Sequence, residues 1–461
     1  MADRAPRPDL DIHWVNQFAV PPDQPGGTRH YDFAAELGRR GHHVHLVASD
    51  LNLNTRRYSR RRGPSDLRAV DEVIDGVPFT WLTAGSYRSN DWRRVASMAI
   101  FGLAVFAHLL RVRRRHDRTV FIGSSPQLFA ALGTWAAARI RRAPFVLEVR
   151  DLWPESYTAV SGKERGPEIT AMRWVADLLY RQALAIIVLA GPNAARICAR
   201  GVDPAKVVNV PNGVDLVGFD DGEPSVDLSE VGTFTFVYAG AHGPANDLEI
   251  VVRACLLLQE RGRSDVRVAL LGDGATKESL VALAATLALT NLTFFDPVAK
   301  STIGATLRTA DAGLMVLAPV ELFSYGVSPN KLFDYLGAGL PVVANVPGLV
   351  HDIVADADVG INVAAGSPLA LADGMASMAD DPPAGAAERG RAFVRANYDR
   401  RTLVGQVEDL LSSLVAPAPP PPGPPSPGRA QRHALRPRRA GWWPRPRRST
   451  TRPGLLRRRG R

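Results

Sequence analysis

Residues 324–345 read Ser-Tyr-Gly-Val-Ser-Pro-Asn-Lys-Leu-Phe-Asp-Tyr-Leu-Gly-Ala-Gly-Leu-Pro-Val-Val-Ala-Asn, and they commit this part of the chain to a helix followed by a buried strand. Ser328 before Pro329 predicts a helix start, with a hydroxyl to cap free N–H groups and a ring fixed at helical φ. Leu332, Phe333 and Leu336 share one helical face. Gly337 and Gly339 are expected to end the helix before the apolar strand 341–344. Gly326 leads into the helix N-terminus, where unpaired N–H groups and the dipole favour a phosphate. Lys331 opposes the dipole in the first turn, so intrinsic helix stability does not explain it. Asp334, about one turn inside, can accept hydrogen bonds from a pair of sugar hydroxyls. Two readings stand: an ordinary capped helix with a surface Lys and Asp, or a helix that holds the phosphate and diol of a nucleotide.

The first half shows the same alternation. Residues 11–16 read as a buried strand, followed by a loop with Pro21, Pro22, Pro25 and the pair Gly26-Gly27. A helix from about 28 to 40 and a strand over 44–49 complete the unit. Glycines at that turn let backbone N–H groups approach a phosphate, although the spacing is not G-x-G-x-x-G and a purely structural turn fits as well. Residues 56–75 are arginine-rich and aperiodic and read as a mobile loop. Residues 95–110 carry no formal charge and are flanked by Arg93, Arg94, Arg111, Arg113, Arg114 and Arg115. As a helix this run covers about 24 Å, short of the roughly 30 Å of bilayer hydrocarbon. It is either a core helix or a helix lying on an anionic leaflet. Strands over 120–124 and 145–149 flank a helix over 128–141. The second strand ends at Arg150-Asp151-Leu152-Trp153-Pro154-Glu155, where open α/β sheets place their chemistry. Asp151 there is either half of a structural salt bridge or a group acting on a substrate. A strand at 186–190 and a Pro-Asn-Gly-Val-Asp turn at 211–215 close this half.

Residues 220–232 form an acidic, Gly/Pro/Ser-bearing linker. A strand over 233–239 opens the second half and is followed by Gly240-Ala241-His242-Gly243, where His242 is either a loop histidine or a phosphate donor. Further helices and strands alternate to about residue 414. The two cysteines, Cys198 and Cys255, have no metal-ligand spacing, and the Asp-x-Asp pairs at 9/11 and 356/358 lie away from these motifs, so no metal site is expected. The N-terminus lacks the apolar core of a signal peptide. The formal net charge is +10, but the 13 arginines after residue 409 supply it, leaving 43 basic against 46 acidic side chains elsewhere. That distribution gives no nucleic-acid footprint on the globular part. Residues 416–427 are a Pro-rich spacer and 429–461 an Arg/Pro-rich tail with Trp442 and Trp443, expected to be disordered.

The 324–345 stretch resembles the donor-binding motif of retaining glycosyltransferases of family 4, and 150–155 resembles a signature of the bacterial subgroup acting on lipid-linked surface-polysaccharide precursors. The resemblance covers about residues 10–412. It implies an α/β protein of GT-B fold, two Rossmann-like domains facing a cleft: an acceptor-side domain over 1–219, the linker 220–232, and a nucleotide-sugar domain over 233–398. It further implies a terminal helix over 399–415 packed back on the first domain, with 416–461 as tail. The implied activity is hexosyl or N-acetylhexosaminyl transfer, with retention and without metal, from a UDP- or GDP-linked sugar. The implied acceptor is a polyprenyl-diphosphate-linked glycan on the inner face of the plasma membrane. Phosphates would meet Gly26, Gly27, Gly240, His242, Gly326, Val327, Ser328 and Lys331, ribose would meet Asp334, and the acceptor side would hold Arg150 and Asp151. Three departures stand out: Gly326 replaces the usual first acid, Arg150 stands where many relatives carry His, and the Arg/Lys pair expected after the 233–239 strand is missing. Two other readings fit the same residues, a nucleotide-sugar 2-epimerase and a non-catalytic membrane-bound partner of a polysaccharide assembly complex.

Overall fold

The computed structural model describes residues 9–415, apart from 25, 52–57, 59, 61–65, 86–91, 114–117, 217–218 and 220–221. The 416–461 tail, residues 56, 57, 59 and 61–65 of the arginine-rich 56–75 stretch, and Arg114 and Arg115 therefore lie outside the described residues.

The first half is built on an eight-stranded sheet of order β3-β4-β2-β1-β5-β6-β7-β8. Its strands are β1 (Asp11–Val15), β2 (His43–Ser49), β3 (Val70–Ile74), β4 (Val77–Leu82), β5 (Thr119–Ser124), β6 (Phe145–Val149), β7 (Ala185–Val188) and β8 (Val207–Asn209). All neighbours are parallel except β3, which runs antiparallel to β4 at one edge. β3 corrects the expectation of a loop through residue 75: alternate residues of 70–74 are half-buried, which suits an edge strand with one covered face. The helices are α1 (Arg29–Arg39), α2 (Trp92–Arg111), α3 (Leu128–Arg141), α4 (Glu155–Ser161), α5 (Pro167–Gln182) and α6 (Gly191–Cys198). The five residues of β1 are all buried, as a strand covered on both faces requires.

The second half has a six-stranded, all-parallel sheet of order β11-β10-β9-β12-β13-β14. Its strands are β9 (Phe234–Ala239), β10 (Val266–Leu271), β11 (Leu292–Phe295), β12 (Ala312–Met315), β13 (Val342–Ala344) and β14 (Gly360–Asn362). Its helices are α7 (Glu249–Glu260), α8 (Lys277–Thr286), α9 (Ile303–Leu307), α10 (Glu321–Tyr325), α11 (Asn330–Ala338), α12 (Leu349–Asp356), α13 (Pro368–Asp380) and α14 (Ala386–Asn397). The last helix, α15 (Arg400–Val415), leaves this half and buries Leu403, Val404, Val407 and Leu411 in the core of the first, beside Phe33 and Leu37 of α1.

In each sheet successive strands are added on opposite sides of a switch point, between β1 and β5 in the first half and between β9 and β12 in the second. Loops leaving the C-terminal ends of strands at such switch points form the crevices where open α/β sheets bind ligands. The loop with Gly26 and Gly27 follows β1, and the loop with Gly240 and His242 follows β9.

Helix α2 settles which way its apolar surface points. Phe101, Val105 and Leu109 belong to the domain core. The backbone of Gly102 lies against α3 so closely that a Cβ on Gly133 would sit 2.3 Å from the Gly102 carbonyl oxygen. The opposite face stays outside: Val95 is 52% exposed, Ile100 41% and Leu103 70%. The helix has 20 residues, longer than the 16-residue apolar run, and is long and apolar enough to cross a membrane by length and composition. One face is nevertheless core, so α2 is a structural helix of the domain that presents an apolar stripe outward.

Candidate active site

Helix α11 begins at Asn330, one residue later than its sequence suggests. Pro329 takes the capping position with an extended ψ of 114°, and no side chain caps the helix. Ser328 is therefore not the cap. Its hydroxyl accepts the backbone N–H of Asn212 at 3.0 Å, and its carbonyl accepts the Asn212 Nδ2 amide at 2.5 Å. A tertiary contact with the first half has taken the group that local chemistry would give to the helix. The first N–H groups of α11 are left for solvent or a ligand. Gly337 does not end the helix but lies within it, and Gly339, at φ 83°, is the left-handed cap. Gly326 closes α10 and commits its N–H to the Leu322 carbonyl at 2.7 Å, so that N–H is not aimed at an anion. Val327 packs against the core of the second half.

Lys331 turns inward. Its Nζ donates to the Tyr238 hydroxyl at 2.9 Å and to Asn246 Oδ1 at 2.8 Å, and lies 4.3 Å from the Tyr238 ring centroid. Neither partner is charged, and burial brings the ammonium pKa down to about 7. Gly240 is next to it, since a Cβ there would come 3.4 Å from Lys331 Cε. His242 is enclosed, with neither ring nitrogen hydrogen-bonded, 6.0 Å from the Tyr238 ring and 6.4 Å from that of Phe294. Burial, with Lys277 nearby, lowers its pKa to about 4. At neutral pH it is therefore uncharged, and its two ring nitrogens are enclosed rather than open to a phosphate, against the expected donor role.

Asp334 is buried, and its two oxygens are not equivalent. Oδ2 accepts Lys300 Nζ at 2.5 Å, while Oδ1 has no hydrogen-bond partner. The pair of sugar hydroxyls expected at Asp334 would thus meet one free acceptor oxygen and an ammonium donor beside it.

The loop after β1 reaches this helix across the seam. A Cβ on Gly27 would lie 3.4 Å from Asn330 Nδ2, so Gly26-Gly27 and the first turn of α11 are near neighbours. What holds the loop in place lies outside the motifs read from the sequence. Glu148 in β6 is fully buried. It accepts Arg29 Nε at 3.0 Å on Oε1, and on Oε2 the Ser124 hydroxyl at 2.5 Å, His30 Nε2 at 2.8 Å and Trp14 Nε1 at 3.2 Å. Burial alone would raise the Glu148 carboxyl, but His30 and Arg29 hold it well below the usual range. Burial lowers His30 despite Glu148, and brings Arg29 down to about 10. We take the Glu148–Arg29 pair as the charged one, with His30 a neutral donor. Arg29 also donates to the carbonyls of Val210 and Pro211, and Arg400 of α15 reaches Asp32, Thr28 Oγ1 and the Asn212 carbonyl. A continuous polar chain thus runs from the glycine loop through residues 210–212 to Ser328. An acid in an otherwise apolar strand, and Arg-His one residue after a Gly-Gly turn, are the signals that could have revealed it.

Arg150 and Asp151 lie on the turn after β6. The Ser125 hydroxyl anchors that turn, accepting Arg150 N–H at 2.9 Å and donating to the Asp151 carbonyl at 3.2 Å. The Asp151 side chain is exposed, while Arg150 Nε is buried without a partner. The turn leads into α4, which packs on α10 together with α6. There Arg196 stacks over the Tyr325 ring at 3.4 Å. The 150–155 and 324–334 motifs, from opposite halves, therefore converge on one seam. Among the described residues no three His, Cys, Asp or Glu side chains gather as metal ligands would.

Comparison with known proteins agrees with this architecture. Residues 26–213 match the Glycosyl transferase 4-like domain and residues 233–381 match the Glycosyl transferases group 1 domain. A D-inositol 3-phosphate glycosyltransferase of Actinosynnema mirum is 26% identical over 80% of this chain and 88% of its own length. WcaI of Escherichia coli (strain K12), named for colanic acid biosynthesis, is 23% identical over 66% of this chain and 75% of its own. Among solved structures, Anabaena HepE in complex with UDP-glucose superposes with a TM-score of 0.63 at 17% identity, over 88% of this chain and 100% of that one. With a glycosyltransferase domain match in each half and the two-sheet architecture of such enzymes, the chain is a glycosyltransferase of the GT-B fold.

Proposed function

We propose that the protein transfers a sugar from a nucleoside diphosphate sugar, with retention and without a metal, to a lipid-linked glycan acceptor at a membrane surface. One observation carries the donor half of this reading. The uncapped N-terminus of α11, whose Asn330 adjoins the Gly26-Gly27 loop, Lys331 and the unpartnered Oδ1 of Asp334 lie along one helix. Phosphate oxygens suit the N–H groups and the ammonium, and a ribose diol suits Oδ1 with Lys300 Nζ. The bond from the anomeric carbon to the β-phosphate oxygen breaks and one to the acceptor oxygen forms on the same face. The acceptor proton passes to the departing phosphate, whose charge Lys331 offsets. Asp151, exposed on the β6 turn, orients the acceptor. UDP-glucose bound to HepE supports a uridine donor, and the colanic acid relative supports a surface-polysaccharide acceptor. The outward apolar stripe of α2 supports residence on the inner leaflet, where such acceptors are found.

Mass spectrometry of lipid-linked glycans made with and without the protein tests the reading: one added sugar per acceptor, undiminished by EDTA, is the expected result. Donor converted to an epimer without acceptor would replace it with the 2-epimerase. Nucleotide binding without turnover would replace it with a non-catalytic assembly partner, the reading favoured by Gly326 in place of an acid. A strict need for Mg²⁺ or Mn²⁺ would remove the metal-free mechanism.

A further inference from the structure

Beside the Arg150–Asp151 turn the first half contains a cavity of about 560 Å³, bounded by the N-terminal turns of α2 and α3, by α4 and by the first turns of α5. Its walls are mainly apolar, with Met98, Leu128, Phe129, Trp153 and Met172 among them, and Arg94 and Glu168 are its charged members. Nothing in the donor chemistry uses it. The volume falls within the range of small-molecule sites, and methionines on facing helices give walls that adapt to a flexible chain. Two features say what kind of chain. The cavity is continuous with the outward stripe of α2, because Val95 belongs to both. It also shares a wall with the acceptor-side turn. Trp153 is two residues past Asp151, and Pro126 follows Ser125, whose hydroxyl anchors that turn.

We propose that this cavity binds the hydrocarbon chain next to the phosphate of the acceptor's lipid anchor, so that the chain positions the glycan at Asp151. This rests on the lipid-linked acceptor proposed above. The chain would enter along Val95 from the membrane side, while the phosphate would stay near Arg94, outside the apolar walls. Bulk membrane lipid has no reason to favour a site that opens on the acceptor turn.

Isothermal titration of the full chain with farnesyl phosphate, and with isopentenyl phosphate as the short-chain control, reads the site without requiring the natural acceptor. The protein should bind farnesyl phosphate at least tenfold more tightly. Ala171→Trp, which places an indole at the cavity wall from an exposed position on α5, should abolish that preference and leave UDP affinity unchanged. Equal farnesyl phosphate binding by the Ala171→Trp variant overturns the assignment. So does the absence of chain-length preference in protein that binds UDP. Displacement of farnesyl phosphate by phosphatidylglycerol vesicles that contain no prenyl phosphate also overturns it, because the cavity would then be a bulk-lipid site. Transfer assays separate the two proposals. Transfer to lipid-linked acceptor that Ala171→Trp leaves unchanged removes the cavity alone, and transfer restricted to acceptors without a lipid removes both.

Discussion

If Lys331 meets the donor diphosphate as proposed, nucleotide binding should be a proton-coupled event whose size follows from the surroundings of Lys331. In the free protein the ammonium has only neutral partners, Tyr238 and Asn246, and a pKa of about 7. Its charged neighbourhood is sparse, since His242 is neutral above about pH 4. A diphosphate beside Nζ favours the charged form and returns the pKa toward its ordinary value, about 10.4. At pH 8 about nine tenths of the free protein has lost this proton, given the pKa of about 7. Binding must restore it, so the UDP association constant should fall about tenfold per pH unit, roughly 1.4 kcal/mol each, between about pH 7.5 and 9.5. Titrations in buffers of different ionisation enthalpy should show close to one proton taken up at pH 8.5. Lys331→Met should bind UDP weakly with a flat pH profile. The linked stability runs in the same window with its own sign: the folded pKa lies below the unfolded one, so the unfolded chain binds more protons and the free protein gains stability as pH rises from about 7 toward 10. A wild-type affinity that is flat from pH 7.5 to 9.5, with no proton uptake, would refute both the pKa and the contact between Lys331 and the diphosphate.

Three other outcomes follow. Asp334→Ala should lower nucleotide affinity by about 1.5–3 kcal/mol, the range for a hydrogen bond to a charged group; unchanged affinity across a panel of nucleoside diphosphates would sink the ribose role. Glu148→Ala leaves Arg29 buried without its counter-charge and should cost about 3–5 kcal/mol in urea unfolding, and a loss below about 1 kcal/mol would show that the cluster is not a charged pair. Residues 1–415 should co-sediment with anionic liposomes through α2, more weakly and with less salt dependence than the full chain, because the tail removes 13 arginines when it is cut. Full-length protein that stays in the supernatant at low salt would disprove the membrane reading.

The alternation of both halves was legible because buried parallel strands and amphipathic helices write distinct periods. The contents of α11 were legible for a similar reason, being local: Lys331 and Asp334 occupy one short helix. Ser328 misled because intrinsic capping preference is worth only about 1 kcal/mol, and two hydrogen bonds from Asn212 outcompete it. The Glu148 cluster was not legible at all. Its members come from residues 14, 29, 30, 124 and 148, and only the pairing of β1, β5 and β6 brings them together. Helix α2 was half legible. Its composition announces an apolar helix, but only the Gly102–Gly133 crossing decides which face is left outside.

The return of α15 to the first half divides the labour between the halves. The chain crosses between the halves twice, out of the first at residues 210–232 and back to it before Arg400, and Val415 ends on the same half that carries α2. Any grip of the α2 stripe on a surface would therefore be exerted by the first half. The donor half is held by two chain crossings and the seam around Ser328, Asn330 and Tyr325. On the membrane reading proposed above, the second half would be tied to the surface only through the first. Loading a fresh donor would then not require the enzyme to let go of a long acceptor, so that one docking event could serve several turnovers.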